Sequence, residues 1–174
     1  FFPCRAWRPP LGGVAVDREG GRRLLGQGAP FRAYREPFLE EHSLEVLLPF
    51  LQVALLLPPI LPLLFGEVDP GEVAEALLPE LGQKDLVVAS SDLSHYHPDP
   101  VARKLDAKTL KRALALDAEG VAQGEACGRL PWGTLTALAR ALGWKPRLLA
   151  YATSAEAGGG RERVVGYGAL AYVG

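Results

Sequence analysis

Three short stretches carry most of the side chains with which this chain could do chemistry. The first is Ser90-Ser91-Asp92-Leu93-Ser94-His95-Tyr96-His97-Pro98, which contains two of the only three histidines. Asp92 and His95 stand three residues apart, close enough in a turn or a helical start for the carboxylate to orient the imidazole. Such a pair suits general acid–base work, because a carboxylate-held histidine titrates near neutrality. The second stretch is Glu40-Glu41-His42-Ser43-Leu44-Glu45, where His42 and Glu45 share that spacing at the start of a helix. Neutral imidazole is the commonest side-chain metal ligand, and a carboxylate beside it fixes its tautomer. The third is Ala126-Cys127-Gly128-Arg129-Leu130-Pro131, whose glycine and proline form a turn that can present the sulfur. Thiolate with imidazole suits iron, copper or zinc rather than magnesium or calcium. The three stretches are expected to meet at one site.

Each stretch also has a plainer reading. His42 can be a helix-end histidine with ordinary partners in Glu41 and Glu45. Ser90, Ser91, Asp92 and Ser94 can satisfy backbone groups where a strand gives way to a helix. Most intracellular cysteines are inert, and Cys127 can be one of them. Tyr96 and His97 are weaker candidates, and no Cys-x-x-Cys or His-Glu-x-x-His pattern is present.

The elements that must position these residues follow from hydrophobic pattern and capping. Asp85-Leu86-Val87-Val88-Ala89 reads as a buried strand leading into the first stretch, and a helix is expected from Pro100 to about Leu116 with Val101, Leu105, Leu110 and Leu114 inward. A helix from about Glu41 to Ala54 places Leu44, Leu47, Leu48 and Leu51 on one face. Asp69-Pro70-Gly71-Glu72 is a capping sequence for a helix that should run to about Leu81. Asp17 opens an earlier helix that ends near Gly26, and Pro30 to Phe38 could carry a short strand. Ile60 to Phe65 reads as a strand weakened by Pro62. A short helix follows Asp117, another spans Leu130 to Leu142, and the strands Pro146–Thr153 and Arg163–Val173 form a hairpin around a triple glycine. Helices alternating with apolar strands predict an α/β sandwich with a mixed sheet.

Composition narrows the class. The 174 residues suit a single domain over 1–174, and 19 Lys plus Arg against 20 Asp plus Glu leave a net charge of −1. That balance argues against nucleic acid and anionic membranes as partners. The apolar tract from Val46 to Phe65 is long enough for a membrane span, but Pro49, Pro58, Pro59 and Pro62 would break it. It is read as helix, turn and strand. Two distant cysteines make no disulfide framework, so a cytoplasmic protein with free thiols is expected. The lack of Met and Asn, with a single Ile, points to a thermophilic source. Phe1 is not an initiator residue, so the chain is expected to be cut or processed at its start.

Four ordered motifs carry a resemblance. Glu41-His42-Ser43-Leu44-Glu45-Val46-Leu47-Leu48-Pro49-Phe50-Leu51-Gln52, Ser90-Ser91-Asp92-Leu93-Ser94-His95-Tyr96, Ala126-Cys127-Gly128 and Val164-Val165-Gly166-Tyr167 resemble the Memo family, also called AmmeMemoRadiSam system protein B. The resemblance covers nearly the whole chain. It implies a three-layer α/β/α sandwich like the catalytic subunit of class III extradiol dioxygenases. It further implies a metal pocket in which His42 and Cys127 are ligands, lined by Asp92 and His95, with His95 at the dioxygenases' acid–base position. The family's Pro-His-Ala-Gly-Tyr segment, which supplies its first ligand histidine, does not occur here, so the chain should correspond to about the last two-thirds of a family domain.

The leading expectation is therefore a Memo-like protein with a His/Cys-lined metal pocket and dioxygenase-like or redox chemistry, with iron or copper favoured over zinc. Two rivals are kept: a hydrolase-like Cys127–His95–Asp92 triad, and a non-catalytic module that binds a peptide or small molecule. Loss of a first strand would also favour association into homo-oligomers.

Overall fold

The computed structural model describes residues 3–55 and 59–174, so the turn expected between the halves of the Val46–Phe65 tract, with Pro58, lies outside the described residues. Helices and strands alternate in an α/β fold, and the backbone clusters into two compact units. One comprises residues 1–68 and 79–81, the other 69–78 and 82–174.

In the first unit β1 (Ala6–Trp7) and β2 (Val14–Ala15) form a small antiparallel pair. The Asp17 carboxylate accepts the Glu19 and Gly20 amides and so caps α1 (Arg18–Gly26). On α2 (Ser43–Ala54) Leu48 is almost fully buried and Leu44, Leu47 and Leu51 on the same face are partly buried, while Val46, Phe50 and Val53 are exposed. Trp7, Val14, Val16 and Phe38 pack with Leu48, the two aromatic rings edge to face with centroids 6.1 Å apart. Two expected strands are not formed. Pro30–Phe38 ends instead in one 3₁₀ turn, Glu36–Phe38. Ile60–Phe65 contributes a single parallel bridge, Ile60 to Val16, because Pro59 and Pro62 remove two ladder donors beside it.

The second unit carries the candidate site. Asp69 accepts the Glu72 amide at 2.9 Å and caps α3 (Pro70–Leu77), which tightens into a 3₁₀ turn at Leu78–Glu80 where Pro79 cannot continue the α-helical ladder. There follow β3 (His95–His97), α4 (Asp99–Leu114), α5 (Ala118–Ala122), α6 (Arg129–Ala141), β4 (Lys145–Thr153) and β5 (Val164–Val173). The sheet order is β3-β5-β4, antiparallel throughout, so the only parallel pairing among the described residues is the Val16–Ile60 bridge of the first unit. β4 and β5 form the expected hairpin, closed by a Thr153/Glu156 capping box and by Gly158 in the left-handed region. Helix and sheet meet over Leu93, Leu110, Ala113, Val121 and Trp132, against which Tyr151, Leu170 and Tyr172 pack. The Trp132 indole donates to the Tyr172 hydroxyl at 3.0 Å, and that hydroxyl shares a 2.9 Å hydrogen bond with Thr136.

Two expectations fail here for physical reasons. Asp85–Ala89 pairs with no strand, and Leu86 and Val88 are exposed. The buried face of α4 is also turned by one position from the expected one. Ala102, Asp106, Thr109, Leu110 and Ala113 face inward, while Val101 and Leu114 are exposed. α4 stops before Leu116, which takes a left-handed backbone (φ 57°).

Candidate metal centre

The stretch 90–97 is sewn to β5 rather than left as a free turn. Leu93 N–H donates to the Gly166 carbonyl and Gly166 N–H to the Ser94 carbonyl, both at 2.9 Å. His95 and His97 then pair with Val165 and Val164 across a bulge. A bulge re-aims side chains. Its extra residue is Tyr96, which adopts φ 62°, an uncommon region for a residue with a Cβ, and is largely exposed. The Arg163 guanidinium lies 5.1 Å from the Tyr96 ring centre, and the His95 and Tyr96 rings are 5.8 Å apart.

The turn at Cys127 docks on the same stretch. Gly128 N–H donates to Ser91 Oγ at 2.9 Å, and Ser91 Oγ donates to the Asp92 carbonyl at 2.7 Å. The Asp92 amide points at the Cys127 sulfur, 3.1 Å away. Glycine is required at 128 by this approach: a Cβ there would overlap the Ser90 carbonyl oxygen and lie 2.7 Å from Ser91 Cβ.

Asp92, His95 and Cys127 are thereby brought together, with one ligand atom from each lying within 4.8 Å of the others. The His95 Nε2 to Asp92 Oδ2 distance is 3.5 Å. Ligands in a tetrahedral site with bonds of about 2.0–2.3 Å are roughly 3.3–3.8 Å apart. The His–Asp pair has that spacing already, and the rest of the set reaches it with about an ångström of closure at most. Sulfur, imidazole and carboxylate are all side-chain donors that can hold a metal ion.

The surroundings of the other expected residues are as follows. His42 belongs to the first unit, where its largely exposed side chain has Nδ1 3.6 Å from Glu45 Oε2, the i, i+3 pairing its spacing predicts. His97 is occupied by Glu125, its Nε2 donating to the carboxylate at 2.8 Å. Ser91 ties the two stretches of the site together, a role that spacing in the sequence does not distinguish from that of a serine satisfying local backbone groups.

An α/β protein with a clustered Asp/His/Cys donor set is the class that fold and site define. Residues 2–171 match the family model described as Memo-like protein, a match that runs through both units. Among curated relatives, a MEMO1 family protein of Methanopyrus kandleri is 33% identical over 96% of this chain and 64% of its own length. Those of Desulfurococcus amylolyticus and Aeropyrum pernix are 34% and 36% identical, over 98% and 94% of this chain and 65% and 63% of theirs. The chain belongs to the Memo family. It spans about 64% of the length of the curated relatives it matches. Among the described residues no helix is long and apolar enough to cross a membrane.

Proposed function

We propose that Asp92, His95 and Cys127 hold a first-row transition metal in a Memo-type pocket, and that the pocket supports redox or dioxygenase-like chemistry. The observation that carries this is the convergence of the three donor atoms within 4.8 Å from two stretches 35 residues apart. A bound iron or copper ion supplies Lewis-acid and one-electron chemistry. The chain's own part is to present the sulfur, held by the Asp92 amide and the glycine turn, and to hold the His95 ring nitrogen and the Asp92 carboxylate 3.5 Å apart as neighbouring donors. The ligand role that the resemblance gives His42, and the proton-transfer role that it gives His95, belong to the same proposal.

The test is metal content and affinity for Fe(II), Cu(II) and Zn(II) in the parent chain and in Cys127→Ala, His95→Ala, Asp92→Asn and His42→Ala. Loss of metal with Cys127 and His95 is the expected result. Metal retained in His95→Ala with lost turnover would move His95 to the acid–base role, and retention in both Cys127→Ala and His95→Ala would end the proposal.

The Asp92 amide aimed at Cys127 favours one second reading, the Cys127 sulfur acting as nucleophile with His95 as its base. That reading requires rapid, chelator-insensitive alkylation of Cys127 by iodoacetamide, and a sluggish thiol removes it.

A further inference from the structure

Beneath the donor set lies a charged side chain to which the proposed chemistry assigns no work. Asp106 is on the inner face of α4, has no solvent exposure, and makes no ion pair among the described residues. A buried carboxylate is costly unless its oxygens accept good hydrogen bonds. Both oxygens of Asp106 do. Oδ1 accepts the Ser94 amide at 2.9 Å and Oδ2 accepts the Tyr151 hydroxyl at 2.7 Å, and burial together with Asp106 pushes the Tyr151 phenol well above its usual range.

The position of these contacts is what gives Asp106 a role. Ser94 immediately precedes His95 and stands two residues after Asp92. Its amide is taken by Asp106, while its carbonyl accepts the Gly166 amide. The carboxylate also packs against the bare Cα of Gly166, where a Cβ would overlap it, so the glycine makes room for the acid. One side chain on α4 thus fixes the peptide between the two donors with respect to β4 and β5. The Asp92–His95 spacing is set across that peptide.

We infer that Asp106 is a positioning residue for the Asp92/His95/Cys127 group: by holding the Ser94 amide it sets the geometry in which Asp92 and His95 face the sulfur. The inference rests on the metal reading above and assigns the group its buried support. A residue that orients ligands from behind typically changes metal affinity by about 10- to 100-fold when lost.

The experiment uses the 174-residue chain with Co(II) alone as probe, because its thiolate charge-transfer band reports sulfur coordination and its visible bands report geometry. Asp106→Asn keeps the shape of the side chain but replaces one acceptor oxygen with a donor. It is expected to weaken Co(II) binding by at least about tenfold and to shift the visible bands. Tyr151→Phe frees one end of the carboxylate and should shift the bands in the same direction by less, which covers the case in which Asp106→Asn does not fold. Leu77→Ala, a cavity on α3 outside the cluster that holds Leu93, lowers stability without touching the 92–95 stretch and should leave the spectrum unchanged. Bands and affinity unchanged in the Asp106 and Tyr151 variants would overturn the inference, as would equal shifts in Leu77→Ala. If the parent chain gives no thiolate band, the metal reading fails. The positioning claim is then decided by nuclear magnetic resonance of the metal-free chain. It holds if Asp106→Asn moves the His95 ring signals and deprotects the Ser94 amide more than Leu77→Ala does, and falls if it does not.

Discussion

Replacing Gly128 by alanine isolates the contact that brings sulfur to carboxylate. The Gly128 backbone has φ −92° and ψ 32°, a negative φ open to alanine, so the main cost comes from contact rather than from a left-handed backbone. The new Cβ would overlap the Ser90 carbonyl oxygen and lie 2.7 Å from Ser91 Cβ and 3.0 Å from Ser91 Oγ. Unstrained carbon–carbon contact is about 3.5–4.0 Å, so the two segments must part by about 1 Å. Overpacking of that order costs about 1–3 kcal/mol. The retreat also stretches the Gly128–Ser91 and Asp92–Cys127 hydrogen bonds, at about 1 kcal/mol each when fully lost. With partial relaxation the net loss is about 2–3 kcal/mol, a fall in Tm of roughly 10–20 °C for a unit of about a hundred residues. Thermal melts followed by circular dichroism measure it, with Gly26→Ala as control, since nothing lies within 4 Å of a Cβ there. Metal affinity should fall with stability, because the sulfur retreats from Asp92 and His95. A Gly128→Ala melt within about 2 °C of the parent would show that the close approach carries none of this energy.

Two further outcomes follow from contacts in the same unit. Thr153 donates to the buried Asp99 at 2.7 Å and Arg103 pairs with both Asp99 and Glu156, so both carboxyls are held below their ordinary range, Asp99 first by Thr153 and Glu156 first by Arg103. Depressed carboxyls stabilise the fold above their unfolded pKa of about 4 and lose that contribution as pH falls through the folded values, so urea midpoints should drop below about pH 4, and less steeply in Arg103→Met. Trp132→Phe removes the donor to Tyr172 while the Thr136 bond remains, and should cost about 1–2 kcal/mol in denaturant titrations; no loss would mean that the indole bond is not stabilising.

Local chemistry was the legible part of this chain. The Asp69 cap, the leucine face of α2 and the β4–β5 hairpin each follow from residues within a few positions of one another. The docking of Cys127-Gly128 on Ser90–Asp92 was anticipated only as convergence, because the Ser91 bond that makes it joins residues 37 apart. Asp85–Ala89 has strand composition, but a strand requires a partner, and none of the described residues pairs with it. The α4 face was misread because an aspartate at a core position looks like solvent-facing polarity. The leucine count favoured the stripe through Val101 and Leu105, whereas the structure buries the stripe through Ala102 and Asp106. Asp106 could have been suspected only by asking why small residues flank it at helical spacing on both sides.

Asp92 and Cys127 are 35 residues apart in sequence, and all of α4 and α5 lies between them. Whatever bridges that pair ties together the two ends of a folded segment, as a clasp does. An ion bound there only in the folded state would add RT ln(1 + [L]/Kd), about 2.7 kcal/mol at a hundredfold excess over Kd. Two preparations of identical sequence but different ion loading should therefore melt at different temperatures. The melting curve becomes a titration of occupancy that needs no substrate.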